Sequence, residues 1–185
     1  MSRPVLLIAG IALLGACATE PTATDNTADL QLPPAASRAE APAQRDLAAL
    51  RAATARFHRI DLAKAAGYDT QFPAGCFASP QGAMGFHWLN GANVGTLEVT
   101  RPQLVLYEPR EHGRMKLVGV EYIVPGASTD TPPVLFGQTF HYNATFGVWA
   151  LHVWAWERNP RGLFADWNPR VSCEHATDVS AASDD

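Results

Sequence analysis

Three tryptophans and one histidine lie within ten consecutive residues, VWALHVWAWE, at positions 148–157. In a β-strand, alternate side chains point to opposite faces of the sheet. This alternation places Trp149 with two aliphatic side chains on a face typical of a hydrophobic core. It places His152 on the other face, together with Trp154 and Trp156. The segment therefore predicts one imidazole on an aromatic surface.

The same alternation puts further titratable side chains into apolar rows of other predicted strands. A buried carboxylate without a partner is costly, so Glu121 should meet a histidine, an arginine or backbone donors. If the strands bring His87, Glu121 and His152 together, their two imidazoles and one carboxylate form a single cluster. That set suits Zn²⁺ or another divalent ion with an open position for water. His141 and Glu108 are candidates for a fourth ligand.

Several chemistries remain open for this set. A metal-bound water could act in hydrolysis, or a Glu–His pair could do acid–base work without a metal. The residues could also form a polar structural network. The sequence contains no H-E-x-x-H, G-x-S-x-G, P-loop, Rossmann glycine or C-x-x-C-H motif that would choose among these alternatives.

Aromatic side chains support a different primary prediction, a domain that binds a small ligand or an envelope protein. Aromatic faces bury large areas and stack on flat or sugar-like ligands. The residues expected to form this aromatic pocket are Trp88, Tyr107, His152, Trp154 and Trp156. The alternative is the metal-dependent enzyme or metal-binding protein described above, and whether the protein is an enzyme stays open. A purely structural role in the envelope is a third hypothesis.

The elements that must position these residues are one helix and about five strands. Residues 44–68 carry apolar side chains at three–four spacing, which predicts an amphipathic helix, with Gly67 at a left-handed cap. Period-two patterns predict strands at 83–90, 103–109, 114–125, 134–143 and 148–157. A helix followed by antiparallel strands is an α+β fold. We expect the helix to cover a curved, mainly antiparallel sheet, either open or nearly closed as a barrel.

Two Asn-Pro-Arg triplets, at 159–161 and 168–170, follow the last predicted strand. Asn before Pro favours turns, because Pro fixes φ and the Asn side chain can bond nearby backbone. We predict two turns that flank an aromatic plug made by Phe164 and Trp167. The alternative is an anion clamp formed by the two arginines.

The first residues predict the compartment. Residues 1–16 contain Arg3, an apolar run too short to span a bilayer permanently, and small residues at the end, as in an export signal. Leu-Gly-Ala-Cys, ending at Cys17, resembles the bacterial lipobox, which implies cleavage before Cys17 and lipidation of its thiol. The acyl chains would then anchor the protein to the membrane. Ala18 after the cysteine points to the outer membrane, facing the periplasm.

Composition divides the rest of the chain. Residues 17–43 are rich in Ala, Thr and Pro and predict a disordered tether after the lipidated Cys17. Residues 44–175 are long enough for one domain, and 176–185 predict a disordered tail. The mature chain carries 13 basic and 18 acidic side chains without a basic cluster, which argues against nucleic acid as a partner.

The two remaining cysteines, Cys76 and Cys173, are predicted to form a disulfide, because exported domains tend to pair their cysteines. Free buried thiols and a metal pair are the alternatives. We expect the bond to fasten the loop after the helix to the final segment.

The segment from about Ala55 to Cys173 resembles an uncharacterised family of exported bacterial proteins. The resemblance rests on MGFHWLN (84–90), RPQLVLYEP (101–109), LVGVEYIVP (117–125), LHVWAWERNPRG (151–162) and FADWNPRVSC (164–173). It implies that these blocks form one functional unit, and it carries over no activity and no catalytic residue.

Overall fold

The computed structural model describes residues 35–177 and 179–181, with side chains from 43 to 177. The predicted signal peptide, the predicted lipidation site Cys17, most of the predicted tether and half of the predicted tail lie outside the described residues. None of the described helices combines the length and hydropathy needed to cross a bilayer.

The helical region comprises α1 (Ala35–Thr54), a 3₁₀ turn (Ala55–His58) and α2 (Ile60–Ala65). Helix α1 begins nine residues before the predicted start at 44, within the alanine-rich end of the predicted tether. The prediction of one continuous helix is wrong, because Arg59 is extended, with φ −96° and ψ 108°.

The interruption has a clear packing role. The 3₁₀ turn directs Phe57 into the core, where 4% of it is exposed. The buried Tyr107 hydroxyl donates a 2.6 Å hydrogen bond to the Phe57 carbonyl of this turn. After α2, Gly67 has a φ of 96°, as the predicted left-handed cap requires.

A curled sheet forms the rest of the domain. Its strands run in the spatial order β7-β8-β4-β3-β2-β1-β9, and a separate ribbon is formed by β5 and β6. The bounds are β1 Thr70–Ser79, β2 Gly82–Leu89, β3 Leu104–Arg110, β4 Arg114–Pro125, β5 Val134–Leu135, β6 Gln138–Thr139, β7 His141–Asn143, β8 Val148–Val153 and β9 Val179–Ala181. All neighbours in the large sheet are antiparallel except β1 and β9. The sheet curls into a half-barrel, which confirms the predicted α+β class and the curved, mainly antiparallel sheet.

Three strand predictions need correction. Strand β1 was missed, because Pro73 and Gly75 interrupt its apolar pattern and its register shifts between Gln71 and Cys76. The predicted strand 134–143 is three short strands, because the chain turns at Phe136 and Gly137, both with positive φ.

The third correction concerns the tryptophan-rich segment. Strand β8 ends at Val153, and the backbone N–H of Trp154 donates to the carbonyl of Leu163 instead of to a neighbouring strand. Strand alternation therefore does not extend to Trp154 and Trp156. For Trp149 the prediction is confirmed, since it packs in the main core with Leu151.

The sheet has two different faces. One face packs against the helical region and carries the main core, which includes Val120, Tyr122 and Leu151. Side chains at the alternate strand positions point to the other face, and there Ile123 and Ala150 belong to a separate small apolar cluster. We call the second side the inner face, since it lies inside the curl. This division places the predicted metal ligands away from the helix.

The predicted disulfide between Cys76 and Cys173 is present, with the two Cα atoms 5.8 Å apart. It fastens strand β1, not a loop, to the segment that follows β8. The bond closes a segment of 97 residues, which in the chain-entropy treatment stabilises the fold by about 4–5 kcal/mol at most.

Candidate metal centre

A cavity of about 830 Å³ opens on the inner face of the sheet. Small-molecule sites commonly have volumes of about 300–1,000 Å³. Strands β1, β2, β4 and β8 contribute to its walls, together with the turn after β7 and the Asp166–Trp167 segment. His87, Glu121 and His152 all line it.

The strand register explains why these three side chains meet. Glu121 on β4 and His152 on β8 are directly paired residues of neighbouring antiparallel strands. His87 lies on β2, which is separated from β4 by β3. Because the sheet curls, the long side chains of His87 and Glu121 reach each other over β3.

The distances form a compact set. His87 Nε2 lies 3.5 Å from Glu121 Oε2, and His152 Nε2 lies 3.7 Å from Glu121 Oε1. One ligand atom from each residue lies within 4.8 Å of the others. Four-coordinate zinc with bonds of about 2.1 Å separates neighbouring ligand atoms by about 3.4 Å. The three residues thus come together, as the metal hypothesis requires, and they could hold a metal ion.

Asp166 fixes the orientation of the central imidazole. Its Oδ1 lies 3.2 Å from His152 Nδ1, and because an ionised carboxylate only accepts hydrogen bonds, Nδ1–H donates to it. In the neutral imidazole, Nε2 then carries the lone pair. Nε2 of His152 is buried and has no hydrogen-bond partner among the described residues. It faces the Glu121 carboxylate, which is also an acceptor. This arrangement calls for a cation, either a proton or a metal ion, between the two groups.

Burial controls the charge states of the ligands. It lowers the pKa of His87 to about 3, with a further contribution from the charge of His152, while the Gly85 backbone opposes the shift. His87 is therefore neutral near pH 7, as a metal ligand must be. Burial raises the pKa of Glu121, opposed by His152 and reinforced by Asp166.

The pKa of His152 responds to opposing effects. Burial alone would lower it, but the Glu121 charge and the hydrogen bond to Asp166 outweigh burial and raise it. Burial likewise tends to raise the pKa of Asp166, and the contact with His152 lowers it overall. These two acids therefore attract positive charge to His152.

A second group lies at the rim of the cavity. His141 Nε2 is 3.4 Å from Asp166 Oδ1, and the His141 ring stacks on the His152 ring with centroids 6.5 Å apart. The His141 side chain is 46% exposed. Among the described residues, the groups that could hold a metal are His87–Glu121–His152 and His141–His152–Asp166. His141 belongs to the second group rather than beside His87.

Glu108 was a candidate fourth ligand, and the structure places it elsewhere. Its buried carboxylate accepts hydrogen bonds from Arg110 Nη2 at 2.6 Å and from the backbone N–H of Ser172. Lys116 Nζ lies 3.7 Å from the same carboxylate. These basic groups balance the charge of Glu108, and Glu108 does not line the cavity.

The predicted aromatic pocket is wrong in its membership. Trp88 and Tyr107 belong to the main core on the helix-covered face. Lys64 Nζ lies 4.2 Å above the Trp88 ring, and the Tyr107 hydroxyl bonds to the helical region. Neither ring lines the cavity, because each occupies the strand position opposite to the one that faces it.

Trp154 and Trp156 follow the end of β8 and do not line the cavity, although the Trp154 ring stacks on the His152 ring with centroids 6.4 Å apart, as their predicted proximity requires. The Trp154 indole N–H donates to the Ala165 carbonyl at 2.5 Å, and the Trp156 indole N–H donates to Thr54 Oγ1 at 3.1 Å. Both line a smaller hollow of about 240 Å³ beside α1. Among the predicted aromatic-site residues, His152 alone lines the large cavity.

Different aromatic rings line the large cavity. They are Phe72, Phe77, Tyr142, Phe146 and Trp167. Trp167 comes from the predicted aromatic plug, whereas Phe164 packs on Phe136 with centroids 5.9 Å apart. The pattern analysis missed Phe72 and Phe77 together with strand β1.

The two Asn-Pro-Arg turns are present. Asn159 Oδ1 accepts the backbone N–H of Arg161, and Asn168 Oδ1 accepts that of Arg170. The Arg161 guanidinium donates to Gln81 Oε1 at 2.6 Å, which joins the first turn to the end of β1. These turns place Asp166 over β8, a role that strand alternation cannot reveal.

The chain matches no family model, no curated protein and no solved structure.

We expect His87 to make the metal-free protein sensitive to acid. The unfolded chain protonates this histidine at its ordinary pKa, near 6.5, whereas the folded protein resists protonation down to about pH 3. The unfolded state thus binds more protons, and the free energy of unfolding should fall as pH decreases below 6.5, by up to about 1.4 kcal/mol per pH unit. Urea unfolding in EDTA at several pH values between 7 and 5 measures this slope.

Comparing wild type with His87→Gln isolates the contribution of His87 to this pH slope, because every other titrating group remains in the variant. The slope should become shallower in His87→Gln and stay unchanged in His112→Asn, which alters an exposed histidine in the β3–β4 turn. Identical slopes in wild type and His87→Gln would show that His87 titrates normally in the folded protein.

Proposed function

We propose that the protein is a membrane-anchored lipoprotein of the bacterial envelope that binds a divalent metal ion, zinc foremost, through His87, Glu121 and His152. The metal would bind and activate a small molecule in the adjoining cavity. One observation carries the proposal. The buried, unpartnered Nε2 of His152 faces a buried carboxylate in a cavity large enough for a ligand.

The ligand types favour zinc. Two imidazoles and one carboxylate are a known zinc set, and such three-ligand sites keep a position for water or substrate. Histidines that bind metals commonly donate their other ring N–H to a carboxylate, which fixes the tautomer. Asp166 stands in that relation to His152. The chain thus supplies both the ligands and the group that orients one of them.

The cavity supports a role beyond structural metal binding. All three ligands line it, so a bound ion would be accessible to a small molecule. A zinc ion with an open position can polarise a carbonyl and lower the pKa of bound water to about 7. Hydrolysis of a carbonyl compound is therefore the reaction class that this site supports best.

The envelope location rests on other observations. The Leu-Gly-Ala-Cys sequence ending at Cys17 supports lipidation, and Ala18 supports sorting to the outer membrane. The Cys76–Cys173 disulfide supports an oxidising compartment such as the periplasm. The partners proposed are the membrane, through the acylated Cys17, and a small-molecule ligand.

Protein purified without chelators should contain about one zinc ion per chain, because the three ligand atoms are preorganised by the sheet. Elemental analysis by mass spectrometry measures this stoichiometry. His87→Ala and Glu121→Gln should each lose the ion on dialysis. Glu121→Gln removes a buried charge, so the metal-free variant should stay folded. His112→Asn is the matched control, since it changes an exposed histidine, and it should retain the ion.

Circular dichroism of each variant separates loss of metal from loss of fold. The proposal fails if folded wild-type protein takes up no stoichiometric metal, or if His87→Ala retains as much as wild type.

Asp166→Asn should weaken zinc affinity by about 10–100-fold, because the amide no longer holds the proton on His152 Nδ1. Competition with a zinc-chelating dye measures the affinity. Asp69→Asn, a change at an exposed aspartate that precedes β1, should leave the affinity unchanged. Equal zinc affinities for Asp166→Asn and wild type would mean that Asp166 does not orient a metal ligand.

A further inference from the structure

An apolar floor adjoins the proposed metal ligands. Leu104, Ile123, Val148 and Ala150 form a buried cluster that is separate from the main core, and all four line the cavity. Each is less than 9% exposed. The inner face therefore carries both the polar group of ligands and a continuous apolar surface.

The strand register shows in which direction the apolar floor lies from the proposed metal ligands. Glu121 pairs with His152, and two residues along each strand Ile123 pairs with Ala150. Val148 follows after a further two residues on β8. Strands advance about 3.4 Å per residue, so along β4 and β8 the apolar floor begins about 7 Å from the ligand pair and extends to about 14 Å. Leu104 of the floor lies beside Glu121, its direct partner on β3.

Aromatic rings form the walls above this floor. Phe77 meets His87 edge-on, with ring centroids 5.7 Å apart and an interplanar angle of 84°. Phe72 on β1 meets Phe146, in the turn after β7, at 5.7 Å. Since β1 and β7 lie toward opposite sides of the sheet, this contact closes the curl over the cavity. Both rings remain 38% exposed, so they stand at its opening.

The charge of the cavity restricts its ligand. Glu121 and Asp166 are the acidic side chains that line it, and no described lysine or arginine lines it. Two carboxylates balance the charge of one divalent ion. An anionic group placed over the apolar floor would lose its hydration without gaining a basic partner.

We infer that this cavity binds an uncharged small molecule with a metal-binding oxygen or nitrogen at one end and an aromatic or branched apolar group about 7 Å away. The inference rests on the proposed metal site and adds the class of ligand. The ligand's polar end meets the ion held by His87, Glu121 and His152. Its apolar group lies on Ile123 and Ala150, beneath Phe72 and Phe146.

Three hydroxamic acids with the same chelating group test the inference. Acetohydroxamic acid lacks a ring, benzohydroxamic acid adds one, and 4-carboxybenzohydroxamic acid places a negative charge at its far end. Each is titrated into the full mature chain loaded with cobalt, whose visible absorption reports ligands that bind to the ion. Benzohydroxamic acid should bind at least tenfold more tightly than acetohydroxamic acid. The carboxylated compound should lose most of that advantage.

Variants at the opening give a second measurement. Phe146→Ser should reduce the preference for benzohydroxamic over acetohydroxamic acid at least threefold, without changing the affinity for acetohydroxamic acid. Leu97→Ser is the matched control, because Leu97 is equally exposed and lies outside the cavity lining. That variant should keep the wild-type preference.

The outcomes separate the two claims. Failure of cobalt to bind overturns the proposed function and the ligand class with it. Cobalt binding with equal affinities for the three compounds, or tightest binding of the carboxylated compound, leaves the metal site standing and overturns the ligand class.

Discussion

The structure depends on one electrostatic constraint, the burial of the Glu121 carboxylate against the lone pair of His152 Nε2. Both groups are acceptors, both are buried, and they lie 3.7 Å apart. A buried carboxylate is unfavourable unless it is paired, so the site requires a positive charge. Asp166 holds the Nδ1 proton on the opposite side of the ring, so the positive charge that faces Glu121 is either a second proton, on His152 Nε2, or a metal ion. A divalent ion at this position would satisfy Glu121, His152 and the neutral His87 together.

The fold accommodates this buried polar pair because the two faces of the sheet pack differently. One face packs on the helical region, where Tyr107 anchors the 3₁₀ turn through its hydroxyl. This leaves the inner face free of a helix and available for a cavity. The Cys76–Cys173 disulfide ties β1 to the final segment. The same strand carries Phe72, whose contact with Phe146 bridges the open side of the half-barrel.

Sequence periodicity was informative where strands are regular and uninformative where they end. The period of two identifies His87, Glu121 and His152 as candidates within their own strands, because β2, β4 and β8 are continuous at these positions. Their meeting on one face depends on strand order and curl, which the pattern does not give. The period of two misplaced Trp154, because the exit of the chain from β8 depends on a hydrogen bond to a distant loop. Asp166 was missed for the same reason, since a loop residue is positioned by its turns and contacts and not by a repeat.

Anomalous diffraction at the zinc absorption edge tests the central claim most directly. Crystals of wild-type protein grown without chelators should show one strong peak about 2.0–2.2 Å from Nε2 of His87, Nε2 of His152 and a carboxylate oxygen of Glu121. A peak located only among surface carboxylates, or no peak at this site in crystals soaked with zinc, would contradict the account.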